Sequence, residues 1–494
     1  MSTIKIMALG GVRENGKNLY VAEVNEHIFV LDAGAKYPEN EQLGVDIVVP
    51  NFEYLEENKH RVAGIFLSHG HADAIGALPY LLEKVKVPVF GSHLTIELVK
   101  LLVKNNNATK KFNDFHVINE KTEIDFGDSV VSFFQTTHSI PESLGVVIKT
   151  DQGNIVYTGD FKFDQAADKF YKTDFSRLAE IGNEGVLALL SDSANADSNE
   201  QGASMHEARE EILNTIADWD GRIIVAAVAS NIVRIQQIFD AAEKTGRRIV
   251  LTGHDVENIV RTAIQLKKLH LVSEKLLVKP KDIAKYEDHE LIILETGRMG
   301  EPLNGLRKMA IGRYRYVEIK DGDLVYIVTT PSISKEAVVA RVENLVYKAG
   351  GVVQSIAKKL RVSGHGSSRD LQLMMNIMKP KYLFPVQGEY RQLEAHAKAA
   401  TEIGMYPENI IIVKRGDVMS FEDGDFVHNG AVPSGDVMID GNAIGDVGNI
   451  VLRDRKILSE DGIFIVAITV NRREKKIISK TKVNTRGFVY VKKS

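Results

Sequence analysis

Short runs of β-branched and aromatic residues alternate with turns through the first two hundred residues of the chain. Residues 20–24 and 28–31, broken by Asn25-Glu26, read as the two strands of a hairpin. Residues 65–67 form a short apolar strand ending at Ser68, and 87–90 is a strand set between helical spacings at 75–83 and 93–103. Apolar runs at 130–134, 146–148 and 155–157 continue the sheet pattern. Antiparallel pieces mixed with helices predict an α/β sandwich, its sheets covered by helices, rather than a doubly wound parallel sheet. From Met205 the pattern lengthens. Helical spacings at 205–217, 233–242, 256–268 and 335–348 separate apolar strands at 223–228, 249–251, 291–294, 324–328 and 352–355. That alternation predicts a parallel sheet with crossover helices.

The change of pattern divides the chain. Residues 206–354 read as a domain inserted into another, whose two parts are 1–205 and 355–430, the second part reading as loops rich in Gly and His. Residues 431–494 open on Gly and Asp and then give strands at 463–470 and 488–491, so they read as a linker and the start of a truncated C-terminal domain. A chain of 494 residues also exceeds the roughly 250–300 residues at which single cores stop growing.

Composition adds exclusions. A net charge of -4 rules out a basic coat over the whole surface, though not a local basic groove. The absence of cysteine removes disulfides, thiolate metal sites and a cysteine nucleophile. The apolar stretch at 223–233 contains Ser230 and Asn231 and is far short of the ~20 residues needed to span a bilayer. Residues 4–9 run into Gly10-Gly11 and Arg13, a strand and turn rather than an export signal. We expect a cytoplasmic protein with no membrane partner.

The chemistry concentrates at strand ends. In Ser68-His69-Gly70-His71-Ala72-Asp73, two imidazoles two positions apart lie in a tight loop between a strand and a helix, where both can meet one ion. A bare His-x-His also recurs by chance as two polar loop residues. His138, Asp160 and Asp32 place further ligand-type side chains at the ends of other strands, and the set together points to a metal site. Ser363-Gly364-His365-Gly366-Ser367, downstream of Lys358, Lys359 and Arg361, suits a phosphate, and equally a Gly-rich turn beside solvated lysines. The loop from Thr296 to Pro302 either touches a ligand through Arg298 or joins the domains, the second being favoured.

His69-x-His71-x-Asp73 followed by His138 and Asp160 resembles the metallo-β-lactamase superfamily, and the inserted block resembles its nucleic-acid-handling β-CASP subgroup. Leu9-Gly10-Gly11 with Glu14-Asn15-Gly16-Lys17-Asn18, His138-Ser139-Ile140-Pro141 and Gly159-Asp160-Phe161-Lys162-Phe163-Asp164 narrow the match. With Leu190-Ser191-Asp192-Ser193, Ala229-Ser230-Asn231, Ser363-Gly364-His365-Gly366 and Gly388-Glu389-Tyr390-Arg391, they resemble the ribonuclease J family over essentially the whole chain.

The resemblance implies a metallo-β-lactamase αββα sandwich with an inserted β-CASP domain. It also implies a 5′-to-3′ exoribonuclease, with endonucleolytic cleavage as a second mode, in mRNA decay and rRNA maturation. Two ions, Zn²⁺ or Mn²⁺, are implied. One is held by His69, His71, His138 and Asp160; the other needs Asp73, the shared Asp160 and two histidines where this chain has Ala74 and Gln387. By the same resemblance Asp73, Asp160, Asp192 and His365 act in catalysis. RNA is held by Ser230, Asn231 and Ile232 and by Arg361, Val362, Ser363, Gly364 and His365, and a structural Ca²⁺ by Gly44, Asp46 and Asp440. Loss of a supporting group near a metal costs about 10–100-fold in affinity, and loss of two direct ligands costs more, so weak hydrolysis is expected.

The alternative is a nearly inactive RNA-binding subunit. His-Gly-His-Ala-Asp-Ala resembles the degenerate paralogue found beside a complete one in some bacteria, which implies a hetero-oligomer with the active paralogue, with a homodimer as a second form. A small-molecule hydrolase is disfavoured, since the inserted domain would have no task in it.

Overall fold

In a computed structural model, the described residues are 2–38, 42–199, 204–253, 256–297, 302–329, 336–357, 360, 364–440, 443–444, 449–460 and 462–486. The chain forms two compact units, 1–35 with 50–435, and 36–49 with 436–494.

Two mixed sheets build the core of the first unit. The first runs in the order Asp425–Ala431, Asp417–Glu422, Ile4–Gly10, Leu19–Val24, His27–Leu31, Val62–Phe66, Val89–Gly91, Phe115–Val117. The second runs Tyr382–Val386, Val186–Asp192, Asn154–Tyr157, Leu144–Lys149, Val130–Gln135, Glu123–Asp125. Alternation along the strands decides what packs where. Phe133 joins Tyr20, Phe29 and Phe66 in the core between the sheets. Its neighbour Phe134 points the other way, into a layer with Leu178, Ile181 and Met374 from the helices Phe175–Glu184 and Ser368–Met378. The helix His93–Asn105 buries Leu94, Ile96, Leu98 and Val99. This is the αββα sandwich the resemblance implies.

The insertion has a sheet of its own, ordered Leu277–Val278, Arg248–Thr252, Leu291–Glu295, Ile223–Ala226, Leu324–Ile327, Val352–Ser355, with every pairing parallel. The buried strand Ile223–Ala226 lies at its middle, and the carboxyl ends of such strands are where α/β folds gather ligands. Ser230 and Asn231 follow that end and open the helix Ile232–Thr245, Asn231 capping it by accepting a bond from Arg234 N at 3.0 Å.

Sequence and structure part in several places. The helix expected over 75–83 is two, Ala72–Ile75 and Leu78–Lys84, because Pro79 starts a new first turn after Gly76. The loops expected over 355–430 hold the helices Ser368–Met378 and Tyr390–Glu402 and the strand Tyr382–Val386. Capping boxes start both helices, Ser367 with Asp370 and Glu389 with Gln392, which the Gly and His motifs between them obscure.

In the second unit Ile47–Pro50, Asp436–Asp440 and Ala443–Ile444 form a three-stranded sheet. A helix, Asn449–Glu460, stands where the sequence suggested only linker. The strand expected over 463–470 is divided into Ile463–Ala467 and Val470–Asn471, and residues 488–491 lie outside those described. Among the described residues no helix is long and apolar enough to cross a membrane.

Candidate metal centre

Three strand ends of the first unit deliver the candidate ligands. His69 and His71 follow Val62–Phe66, His138 follows Val130–Gln135, and Asp160 follows Asn154–Tyr157. One nitrogen from each of the three imidazoles lies within 4.8 Å of the others. His69, Asp73 and Asp160 form a second such group, and Asp160, Asp192 and His365 a third.

The partners of each ring fix its tautomer. Ser68 Oγ gives its proton to Asp32 Oδ2 at 2.7 Å, so at 2.9 Å it accepts from His69 Nδ1, and Nε2 is the ligand atom. The Ser230 carbonyl, 3.3 Å from His71 Nε2, only accepts, so that nitrogen carries the proton. The Gly364 carbonyl, 2.7 Å from His138 Nδ1, requires the same there. The remaining nitrogens, His71 Nδ1 and His138 Nε2, are then two lone pairs facing each other at 2.9 Å. A cation between them turns this repulsion into coordination. Asp160 is buried with both carboxylate oxygens lacking a hydrogen-bond partner, and His69 Nε2 also lacks one. Three imidazoles and one carboxylate fit a divalent ion, with donors suited to Zn²⁺.

Electrostatics follow from that crowding. Burial, helped by the charge of His69, pulls the His71 imidazole down to about 3 and holds His138 well below the usual range, so both are neutral, as ligands must be. Burial also works against charge on His69, yet Asp160 and Asp73 raise it to about 9. Burial and then Asp73 push the Asp160 carboxyl up. Asp73 is held below the usual carboxylate range, against burial, by the close approach and charge of His69, whose Nε2 lies 3.7 Å away.

The neighbouring berth is closed differently. Gln387 Nε2 donates to Asp73 Oδ2 at 2.9 Å, while Gln387 Oε1 accepts from Gly16 N at 3.1 Å. The Gln387 backbone is left-handed at φ 53° and its N–H reaches Gly11 O at 2.6 Å, so strand end and side chain are both latched. Ala74 is fully buried, its carbonyl accepting from Ala33 N at 2.7 Å. Gly34 passes so close to the Asp73 carbonyl that no Cβ fits there. Of the pair Asp73 and Asp160, one carboxylate thus already carries a neutral amide.

Asp192 and His365 meet as expected, Oδ2 to Nδ1 at 2.8 Å, and although burial opposes it Asp192 raises His365 to about 10. Asp32 is not a ligand. It accepts from Ser68 N, Ser68 Oγ and Tyr157 OH, each at 2.7 Å, and burial raises its carboxyl to about 6. Ser68 and Tyr157 were not foreseen as site groups, and only the position of Ser68 beside His69 gave a signal; Ser230 and Gly364, expected to hold RNA, were not foreseen as partners of the imidazoles. Buried His396, 2.9 Å from the Ser193 hydroxyl, was likewise unforeseen. Lys358, Lys359, Arg361, Val362, Ser363 and Arg298 lie outside the described residues.

At the expected calcium cluster an arginine stands beside the candidate ligands. In the second unit Arg455 donates to Asp440 Oδ2 at 2.7 Å and to the Leu43 carbonyl at 2.9 Å, and its guanidinium lies against Gly44. A side-chain cation thus engages the Asp440 carboxylate and the Leu43 carbonyl.

Comparison with known proteins adds a family. Four family models match: the metallo-beta-lactamase superfamily over residues 12–200, the ribonuclease J beta-CASP domain over 220–346, a Zn-dependent metallo-hydrolase RNA specificity domain over 352–413, and the ribonuclease J C-terminal domain over 450–494. The chain is 72% identical to Ribonuclease J 2 of Streptococcus pyogenes over 494 residues, all of this chain and 89% of that one. It is 45% identical to Ribonuclease J2 of Bacillus subtilis over 491 residues, 99% of this chain and 88% of that one. A crystal structure of a protein of unknown function from Enterococcus faecalis shares the fold, with a TM-score of 0.61 at 15% identity, covering 85% of this chain and 100% of that one.

Proposed function

Because the chain belongs to the ribonuclease J family, we propose that it is a metal-dependent ribonuclease whose own hydrolysis of RNA is weak. The observation that carries the reading is the contrast between converging lone pairs on His69, His71 and His138 and the neighbouring Asp73 already engaged by Gln387. An ion held by His69, His71, His138 and Asp160, Zn²⁺ or Mn²⁺, would supply Lewis acidity and a more acidic water. The rest falls to the chain's own groups. Ser230, Asn231 and Ile232 offer a helix N-terminus to a phosphate, and Gly364 and His365 approach from the other side. Asp192 fixes the His365 ring and keeps it cationic, so the substrate meets positive charge where a scissile phosphate would lie. Asp73 stands within 3.7 Å of His69, placed to orient water or carry a proton. We read the chain as a 5′-to-3′ exonuclease with endonucleolytic cleavage as a second mode, acting on messenger and ribosomal RNA in the cytoplasm. Paired-ion sites stabilise both the attacking and the leaving oxygen, and a single ion does less.

The test compares the chain with the double variant Ala74→His, Gln387→His. Metal content and degradation of 5′-monophosphorylated RNA are measured side by side. One ion and slow decay for the native chain, with two ions and at least about tenfold faster decay for the variant, is expected. Two tightly held ions and equal rates in both would overturn the reading.

A second reading, favoured by the same Ala74 and Gln387, is an RNA-binding subunit that works by stabilising a complete paralogue in a hetero-oligomer. Under it, the chain binds RNA without degrading it and raises the activity of the complete enzyme on mixing.

A further inference from the structure

The two segments read above as holding RNA also orient two of the three imidazoles. The Ser230 carbonyl accepts from His71 and the Gly364 carbonyl from His138. Neither acceptor belongs to the two sheets that deliver the ligands. Ser230 follows a strand of the inserted sheet, and Gly364 stands between that sheet and the helix Ser368–Met378. Apart from their mutual approach at 2.9 Å, these carbonyls are the hydrogen-bond partners of the two rings among the described residues. His69 is held otherwise, by Ser68 and Asp32.

The two segments also meet. Asn231 and Arg234 from one, and Gly364 from the other, line a single cavity with Ser139 and Lys162. The contact at Gly364 is tight: its carbonyl lies 2.7 Å from His138 Nδ1, and a Cβ there would lie 2.6 Å from the same atom, so only glycine lets this backbone approach the ring. A phosphate settling against Ser230, Asn231 and Gly364 therefore changes where two ligand lone pairs point, and an ion drawing those lone pairs together fixes where the two carbonyls stand.

We propose that RNA binding and metal binding in this chain are reciprocally coupled, the Ser230 and Gly364 carbonyls serving as positioning groups that link the phosphate-holding segments to His71 and His138. The proposal rests on the reading of those segments as an RNA site. Groups that orient metal ligands are worth about 10–100-fold in affinity, and linkage demands that the factor be the same in both directions.

The test measures Mn²⁺ binding to the full chain by electron paramagnetic resonance of the free ion, with and without a saturating phosphorothioate-linked RNA that resists cleavage. Mn²⁺ affinity is expected to rise about tenfold or more with RNA, and RNA affinity by the same factor with saturating Mn²⁺. Ser68→Ala loosens only His69, so it should weaken Mn²⁺ binding and leave the RNA-induced factor intact. Gly364→Ala should weaken Mn²⁺ binding about 10–100-fold even without RNA, because the added methyl displaces His138. If RNA binds and Mn²⁺ affinity stays within about twofold, below the usual range of such couplings, the coupling is wrong and the RNA reading stands. If RNA does not bind at all, both fall. Should Gly364→Ala fail to fold, the native chain and Ser68→Ala still decide.

Discussion

At the first berth, ligand atoms from His69, His71 and His138 face one another, and the Asp160 oxygens beside them have no hydrogen-bond partner. At the second, Asp73 Oδ2 holds the Gln387 amide proton at 2.9 Å, and Gly16 holds the amide oxygen. The first arrangement is costly without a cation, because like lone pairs meet in a buried space. The second is content without one. Under the proposed reading a metal site is lost in two steps, removal of ligands and installation of a neutral donor that satisfies what remains. The second step lowers the cost of leaving a carboxylate partly buried, so deleting the donor alone is not expected to admit an ion.

The comparison breaks most visibly at the first berth. His138→Ala removes a direct ligand and should weaken binding of one Zn²⁺ or Mn²⁺ by more than about 100-fold, as read by calorimetry; unchanged affinity would place the ion elsewhere. Next comes the gain from Ala74→His with Gln387→His, whose second ion should be visible in native mass spectrometry before any change in rate is sought. Gln387→Ala sharpens the contrast. It strands the Gly16 N–H and should cost about 1–3 kcal/mol in chemical unfolding without admitting a second ion. A second ion in that variant would mean that Gln387 merely blocks a competent site.

The smallest effect lies behind the Asp192 turn. His396 is fully buried and burial pulls its imidazole down to about 3, against about 6.5 in the unfolded chain. Between those values the unfolded chain binds the extra proton, so the contribution of neutral His396 is complete above pH ~6.5 and declines as pH falls toward 3. His396→Leu removes this share of the acid sensitivity, leaving Ser193 Oγ its bond to the Ser191 carbonyl. Its urea midpoint should fall less steeply between pH 6.5 and 5 than that of the native chain, and identical slopes would assign the acid limb to other groups.

The ligands were legible because each follows an apolar strand and precedes a turn, a pattern visible one residue at a time at His69, His138 and Asp160. The central strands of the insertion were legible as continuous apolar runs, being buried on both faces. What was not legible depends on meetings across long separations. Gln387 finds Gly16 across 371 positions, and His138 finds Gly364 across 226. No local spacing encodes such pairs. Arg455, which reaches back 412 positions to the Leu43 carbonyl beside the expected calcium residues, is another such pair. Asp32 shows a third limit: its place at a strand end was visible, but whether it would bind an ion or a serine was not.

The strand Asp417–Glu422 returns to pair antiparallel with Ile4–Gly10, and Tyr382–Val386 pairs with Val186–Asp192. On the ribosome, then, the amino-terminal hairpins wait with an unzipped edge until some four hundred residues have been made. The strands of the inserted sheet all lie between Ile223 and Ser355, so that sheet has its full complement well before then. His69 and His71 are made early but gain the Gly364 acceptor for His138 only after the whole insertion has emerged. A nascent chain arrested before that point would carry the histidines of an ion cage with no means of closing it.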